Sequence, residues 1–272
     1  MKILSIIFIL SVFLLIFFRF RKKRELKKRE ELPMPEAWKE MLEKHVRYYQ
    51  KLSPELKVEF QKRVMFFLAN VKVIGVKTEV DDLDKILVAA GAIIPIFAFP
   101  KWQYSYLEEV LIYPKTFDRD RQFTNKDSKE FISGVVGTGG HLRSVMILSK
   151  PALHHGFDIA NDKQNVAIHE FLHLLDREDY EVNGVPEILI HHKYSALWME
   201  YIRKNIKMIH ENKSDIRSYG GTNPAEFFAV IGEYFFEQPQ KLKREHPKLY
   251  ALLKDMFKQI PLKENPRILP KK

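Results

Sequence analysis

Five consecutive residues, His169-Glu170-Phe171-Leu172-His173, restrict what this chain can become more than any other stretch. They lie in Asn161 to Asp176, where Ile168, Phe171, Leu172 and Leu175 give apolar faces at helical spacing. Asp162 is the expected N-cap. On a helix, residues four apart share a face, so His169 and His173 can offer two imidazole nitrogens to one metal ion. Glu170 follows the first histidine, close enough to take a proton from a water whose pKa Zn²⁺ lowers toward ~7. The bland alternative is an accidental pair of core histidines with a glutamate between them. It would leave three polar groups to be satisfied inside an apolar helix, which is costly.

The chain has no cysteine. Thiolate ligands are excluded, and a two-histidine site needs a third ligand plus an open position for water. The natural donor is a carboxylate on a downstream helix. Asn223 to Glu237 (N-P-A-E-F-F-A-V-I-G-E-Y-F-F-E) reads as such a helix, with Glu226 and Glu233 seven apart on one face. Glu226 has a competing role in capping with Asn223, three residues earlier. Glu233 has one as a carboxylate that orients a ligand from behind or is simply solvated. Spacing leaves the choice between them open.

The net charge of +10 suggests nucleic acid until it is mapped. Residues 19–30 hold eight Lys and Arg against Glu25 and Glu30, so most of the excess sits in twelve residues. A nucleic-acid-binding body would carry its excess on a domain face; none is expected here. Ile3 to Phe18 is an almost unbroken apolar run that reaches about 24–27 Å as a helix, slightly short of a ~30 Å hydrocarbon core. One lysine precedes the run, the basic cluster follows it, and no small-residue cleavage site appears, which favours an anchor over a cleaved signal. The expected organisation is a transmembrane anchor at 1–20, a basic juxtamembrane linker at 21–34, and a catalytic domain at 35–272. The positive-inside rule puts that domain on the cytoplasmic side of a single-pass membrane protein.

Within the domain, Glu36 to Val71 reads as two helices broken at Leu52-Ser53-Pro54, with Ser53 as cap and Pro54 in the first helical position. Val71 to Val76 reads as a strand, Asp81 to Phe99 as an apolar helix, and Val110 to Tyr113 as a second strand. Gly134 to Gly140 lacks the G-K-[ST] of a phosphate loop and reads as a hairpin turn. Ser144 to Ser149 is a strand, either a sheet edge that could pair with an extended substrate or an ordinary core strand. The adjacent pairs His154-His155 and His191-His192 are both expected on loops, at surface or rim positions. Tyr194 to Glu211 is a long amphipathic helix.

The run His169-Glu-Phe-Leu-His173-Leu-Leu-Asp176, taken with Tyr219-Gly-Gly-Thr-Asn-Pro-Ala-Glu226-Phe-Phe-Ala-Val-Ile-Gly-Glu233-Tyr-Phe-Phe, resembles the Mlc titration factor A family of zinc-dependent peptidases, a gluzincin-like group. Ile86 to Tyr113, with Trp102, resembles it too, and the likeness runs from about Pro35 to Pro261. The resemblance implies an α+β, mostly helical, zincin-like domain with a small sheet beside the H-E-x-x-H helix. It implies one Zn²⁺ held by His169, His173 and Glu226, with Glu170 as general base and Tyr219 assisting at a developing oxyanion. Asp176 then either orients a ligand histidine or ends the helix. The expected function is a membrane-anchored zinc metallopeptidase acting on a peptide or protein. The alternative is a regulatory protein that binds and sequesters a transcription factor, with zinc mainly structural.

Overall fold

The computed structural model describes residues 33–115, 134–136, 144–159, 162–178, 182–186, 189–190, 195–261 and 267–268. The expected anchor and the linker up to residue 32 lie outside the described residues, as do His191 and His192. Among the described residues, no helix is long and apolar enough to cross a membrane.

The chain begins with α1 (Glu36–His45) and α2 (Arg47–Gln50), then α3 (Pro54–Asn70), β1 (Lys72–Gly75) and α4 (Asp82–Ile96). The break before α3 is where the sequence put it: the Ser53 side chain accepts from the Leu56 N–H and Pro54 opens the helix. The buried helix α4 starts on a reciprocal capping box between Asp81 and Asp84. Its C-terminal carbonyls would be orphans in an apolar interior. Arg63 of α3 donates to the Ile96 and Phe97 carbonyls, and the Gln259 amide donates to those of Ile94 and Pro95.

Next come β2 (Glu109–Tyr113), β3 (Gly134–Val136) and β4 (Val145–Ser149), followed by α5 (Lys150–Asp158) and α6 (Val166–Asp176). The sheet order is β1-β2-β4-β3, the first three strands parallel and β3 antiparallel to β4. Of the two readings open for the strand at 144–149, the structure shows the interior one, and β3 takes the edge. Two ladders pair both sides of β4, leaving no free row of backbone donors for an incoming peptide. His154 and His155, expected on a loop, lie on α5, because Ser149 caps at the Ala152 N–H and starts a helix directly from the strand end. His154 Nε2 meets Asp84 Oδ1 at 2.7 Å, and His155 Nε2 meets Asp162 Oδ2 at 2.7 Å.

The chain closes with α7 (Ser195–His210), a 3-10 turn (Ser218–Gly221), α8 (Pro224–Glu237), α9 (Pro239–Glu245), α10 (Pro247–Phe257) and the short antiparallel pair β5 (Gln259–Ile260) and β6 (Arg267–Ile268). Among the described residues the fold is mostly helical, with the small four-stranded sheet and the two-stranded β5–β6 ribbon, and α6 runs through its centre. This helix touches β3 and β4 and packs against α4 and α8. Small residues let it approach closely: a Cβ on Gly91 would fall 2.4 Å from the Ala167 Cβ, and one on Gly232 would fall 2.3 Å from Leu172 Cδ1. Phe171 anchors the deep face among Phe67 and Tyr104, with ring centroids 5.7 and 4.8 Å away.

Candidate metal centre

The helix that carries the site starts at Asn165, not at Asp162. The Asn165 side chain accepts from the Ile168 N–H, while Asp162 accepts from the Gln164 N–H in the turn before it. Both residue types cap well, and the one in register with the first buried turn takes the position.

His169 and His173 leave α6 on one face, and their Nε2 atoms stand 3.1 Å apart. Glu226 enters from the first turn of α8, where Asn223 caps by accepting from the Glu226 N–H. Capping thus uses the Glu226 backbone and leaves its carboxylate for the site. Glu226 Oε2 lies 3.1 Å from His169 Nε2 and 3.3 Å from His173 Nε2. These side chains form the one group among the described residues that could hold a metal, with donor atoms within 4.8 Å of one another.

Glu233 sits two helical turns further along α8 and reaches the same histidine from behind. Its Oε1 lies 2.7 Å from His169 Nδ1, and its Oε2 accepts from the Asn165 N–H at 2.6 Å. A proton held on Nδ1 by Glu233 leaves the Nε2 lone pair facing His173 and Glu226. Asp176 Oδ2 accepts from the Gly184 N–H and fixes the loop beyond the helix.

The electrostatics are those of a cation site. Burial opposes protonation of His169, but the carboxylates of Glu233 and Glu226 outweigh it and raise its pKa to about 10. Burial likewise opposes ionisation of Glu226, yet hydrogen bonding to His169 and His173 holds its carboxyl far below the usual range. The group therefore favours positive charge between its donors, and a metal ion would supply it. The donor set of two imidazoles and one carboxylate suits Zn²⁺. So does the spacing: ligands ~2.0–2.1 Å from a tetrahedral centre stand roughly 3.3–3.4 Å apart, against the 3.1, 3.1 and 3.3 Å found here.

Glu170 is buried at 5% exposure, and burial raises its carboxyl pKa against the pull of His169 and His173. Tyr219 sits on the 3-10 turn with its ring centroid 5.9 Å from that of His169 and is 47% exposed. The structure thus brings His169, His173, Glu226 and Tyr219 together, with Glu170 on the same helix. Sequence reasoning missed Arg217, which donates to Glu233 Oε1, and Asn165. Neither lies on a periodic face that would have pointed to it. A groove of about 1290 Å³ between α3 and the Trp102–Glu108 segment includes none of the three candidate ligands.

The model of the family described as glucose-regulated metallo-peptidase M90 matches residues 18–258. An uncharacterized protein of Synechocystis is 30% identical over 238 residues, covering 85% of this chain and 86% of that one. Mlc titration factor A of Salmonella arizonae is 29% identical over 205 residues, covering 72% of this chain and 80% of its own. Mlc titration factor A of Serratia proteamaculans is 30% identical over 163 residues, 57% of this chain and 61% of its own.

Proposed function

The chain belongs to the glucose-regulated metallo-peptidase M90 family, and from that premise we propose that it is a zinc-dependent peptidase of zincin-like fold, with His169, His173 and Glu226 as ligands. The observation that carries this reading is the near-equilateral spacing of the three donor atoms, backed by Glu233 on His169 Nδ1. When bound, Zn²⁺ supplies Lewis acidity that polarises a carbonyl and lowers the pKa of water. Glu170 holds the transferred proton: its carboxyl is buried, so its pKa is raised toward a value at which it can accept a proton and release it to a leaving amine. Tyr219 offers a phenol O–H to the oxyanion that develops on the scissile carbonyl. The exposure of Tyr219 leaves this side of the site open to an incoming chain. The apolar run at 3–18 and the basic cluster after it support an anchored enzyme with its domain on the cytoplasmic face.

The relatives named Mlc titration factor A support a second reading, in which the chain binds a regulatory protein and zinc is mainly structural. Elemental analysis and a mixed peptide library, applied to the full-length chain and two variants, separate the two. Near-stoichiometric zinc that falls in Glu226→Ala, with chelator-sensitive cleavage lost in Glu170→Gln while zinc is retained, is the peptidase result. Cleavage that survives Glu170→Gln would refute it.

A further inference from the structure

The carboxylate behind His169 is itself held. Glu233 is 2% exposed, and each of its oxygens has a fixed partner. Oε2 takes the Asn165 N–H at the start of α6, and Oε1 is shared between His169 Nδ1 and the Arg217 guanidinium. Among the described residues Arg217 is the one non-histidine cation paired with Glu233. A carboxylate fixed at both oxygens cannot swing about its terminal torsion, so the imidazole that donates to it is fixed as well.

Arg217 lies two residues before Tyr219, and its carbonyl accepts from the Gly220 N–H to start the turn that carries the phenol. The other end of this segment is fastened at Asp215. Lys163 and the Tyr234 hydroxyl donate to Asp215 Oδ2 at 2.8 and 2.7 Å, and His246 Nε2 lies 2.7 Å from Oδ1. Lys163 also donates to the Asp215 carbonyl at 2.7 Å and sits 4.1 Å over the Tyr234 ring. Residues 215–217 are thus tied to the stretch leading into α6 and to two successive residues of α8. The Tyr219 ring then lies tilted 36° against His169.

We propose that Arg217 is a positioning residue that couples Tyr219 to His169 through Glu233, so that one ion pair sets both the orientation of the imidazole and the place of the phenol. The inference rests on the metallopeptidase reading above. It assigns Arg217 no contact with substrate. Its effect is transmitted by the Glu233 carboxylate on one side and the 217–219 backbone on the other.

The test uses the full-length chain with Arg217→Gln, Glu233→Gln, the double variant and Tyr219→Phe combinations. Zinc affinity is measured by competition with a chromophoric chelator, alongside kcat and KM on a cleaved peptide at saturating zinc. Loss of a partner behind a metal ligand costs roughly 10–100-fold in metal affinity, and a weakening of that size is expected for Arg217→Gln. The double variant should bind zinc no worse than Glu233→Gln. At saturating zinc, kcat should still fall with KM unchanged, and that residual fall should vanish in a Tyr219→Phe background. A folded Arg217→Gln chain with parental zinc affinity overturns the proposal, as do multiplying effects of the two substitutions or a kcat deficit indifferent to Tyr219. If Arg217→Gln does not fold, Arg217→Lys is read by the same criteria, because a lysine keeps the charge without the guanidinium fork. Zinc affinity is read without turnover. A parent that binds zinc but cleaves nothing would count against the peptidase reading while the Arg217 comparison stands, whereas a parent that binds no zinc would sink both.

Discussion

Replacing Gly91 by alanine tests whether the place of α6 depends on close helix contact. The added Cβ would stand 2.4 Å from the Cβ of Ala167 and 3.2 Å from its carbonyl carbon. Carbon atoms rest about 3.5–4.0 Å apart, and neither alanine has a rotamer that could relieve the clash. The helices must separate by roughly 1 Å at this level, given that spacing. Overpacking of this kind costs about 1–3 kcal/mol, which for a domain of this size is about 2–4 °C of melting temperature per kcal/mol. Because His169 is two residues from Ala167, the shift reaches the site, where a misplacement of about 1 Å can cost on the order of 10²-fold in rate. The compensating change is Ala167→Gly, which moves the methyl from one helix to the other. Its own helix-propensity cost of about 1 kcal/mol is matched by the gain at position 91, so the double variant should return to near-parental stability. Thermal unfolding followed by circular dichroism, with zinc affinity measured on the same samples, gives both readouts. A Gly91→Ala chain that melts with the parent, or a double variant no better than the single one, would refute the packing argument.

Tyr219→Phe should lower kcat by about 10²-fold, the usual effect of removing an oxyanion donor, and leave zinc content unchanged; an unaltered kcat removes the phenol from the reaction. Asp84 is fully buried; burial raises its carboxyl pKa, but the Lys150 ammonium and His154 more than offset this and hold it below the usual value, helped by the Asp81 N–H. A lowered folded-state pKa means the stabilisation is present above the unfolded value near 4 and is lost as pH falls toward the folded one. Asp84→Asn should cost about 2–3 kcal/mol at neutral pH and flatten the acid limb of a stability-against-pH profile below pH 4; an unchanged slope there would show that Asp84 does not drive it.

Local chemistry decided much of the fold in advance. Ser53 with Pro54, Asp81, and Asn223 with Pro224 each start a helix by satisfying its first N–H groups, which needs nothing from the rest of the chain. The H-E-x-x-H spacing put two imidazoles on one face before any packing was known. The start of α6 was misread because Asp162 and Asn165 are both competent caps, and burial of the first turn chose between them. The interior position of β4 depends on β3, a three-residue strand too short to read from sequence.

Glu226 and Glu233 mark the limit most clearly. Periodicity places both on one face of α8 and says nothing about which side of a neighbouring ring each will meet. That follows from how α8 crosses α6, with Gly232 seated against Leu172, so that Glu226 arrives at His169 Nε2 and Glu233 at Nδ1. The sequence alone determined that two histidines and two glutamates would be available on two helices. Spacing left the choice between them open and the family resemblance implied Glu226; the tertiary structure puts the Glu226 carboxylate at the candidate metal position and shows the other behind the histidine, because that arrangement depends on the depth and angle of a helix contact that no single-helix period encodes.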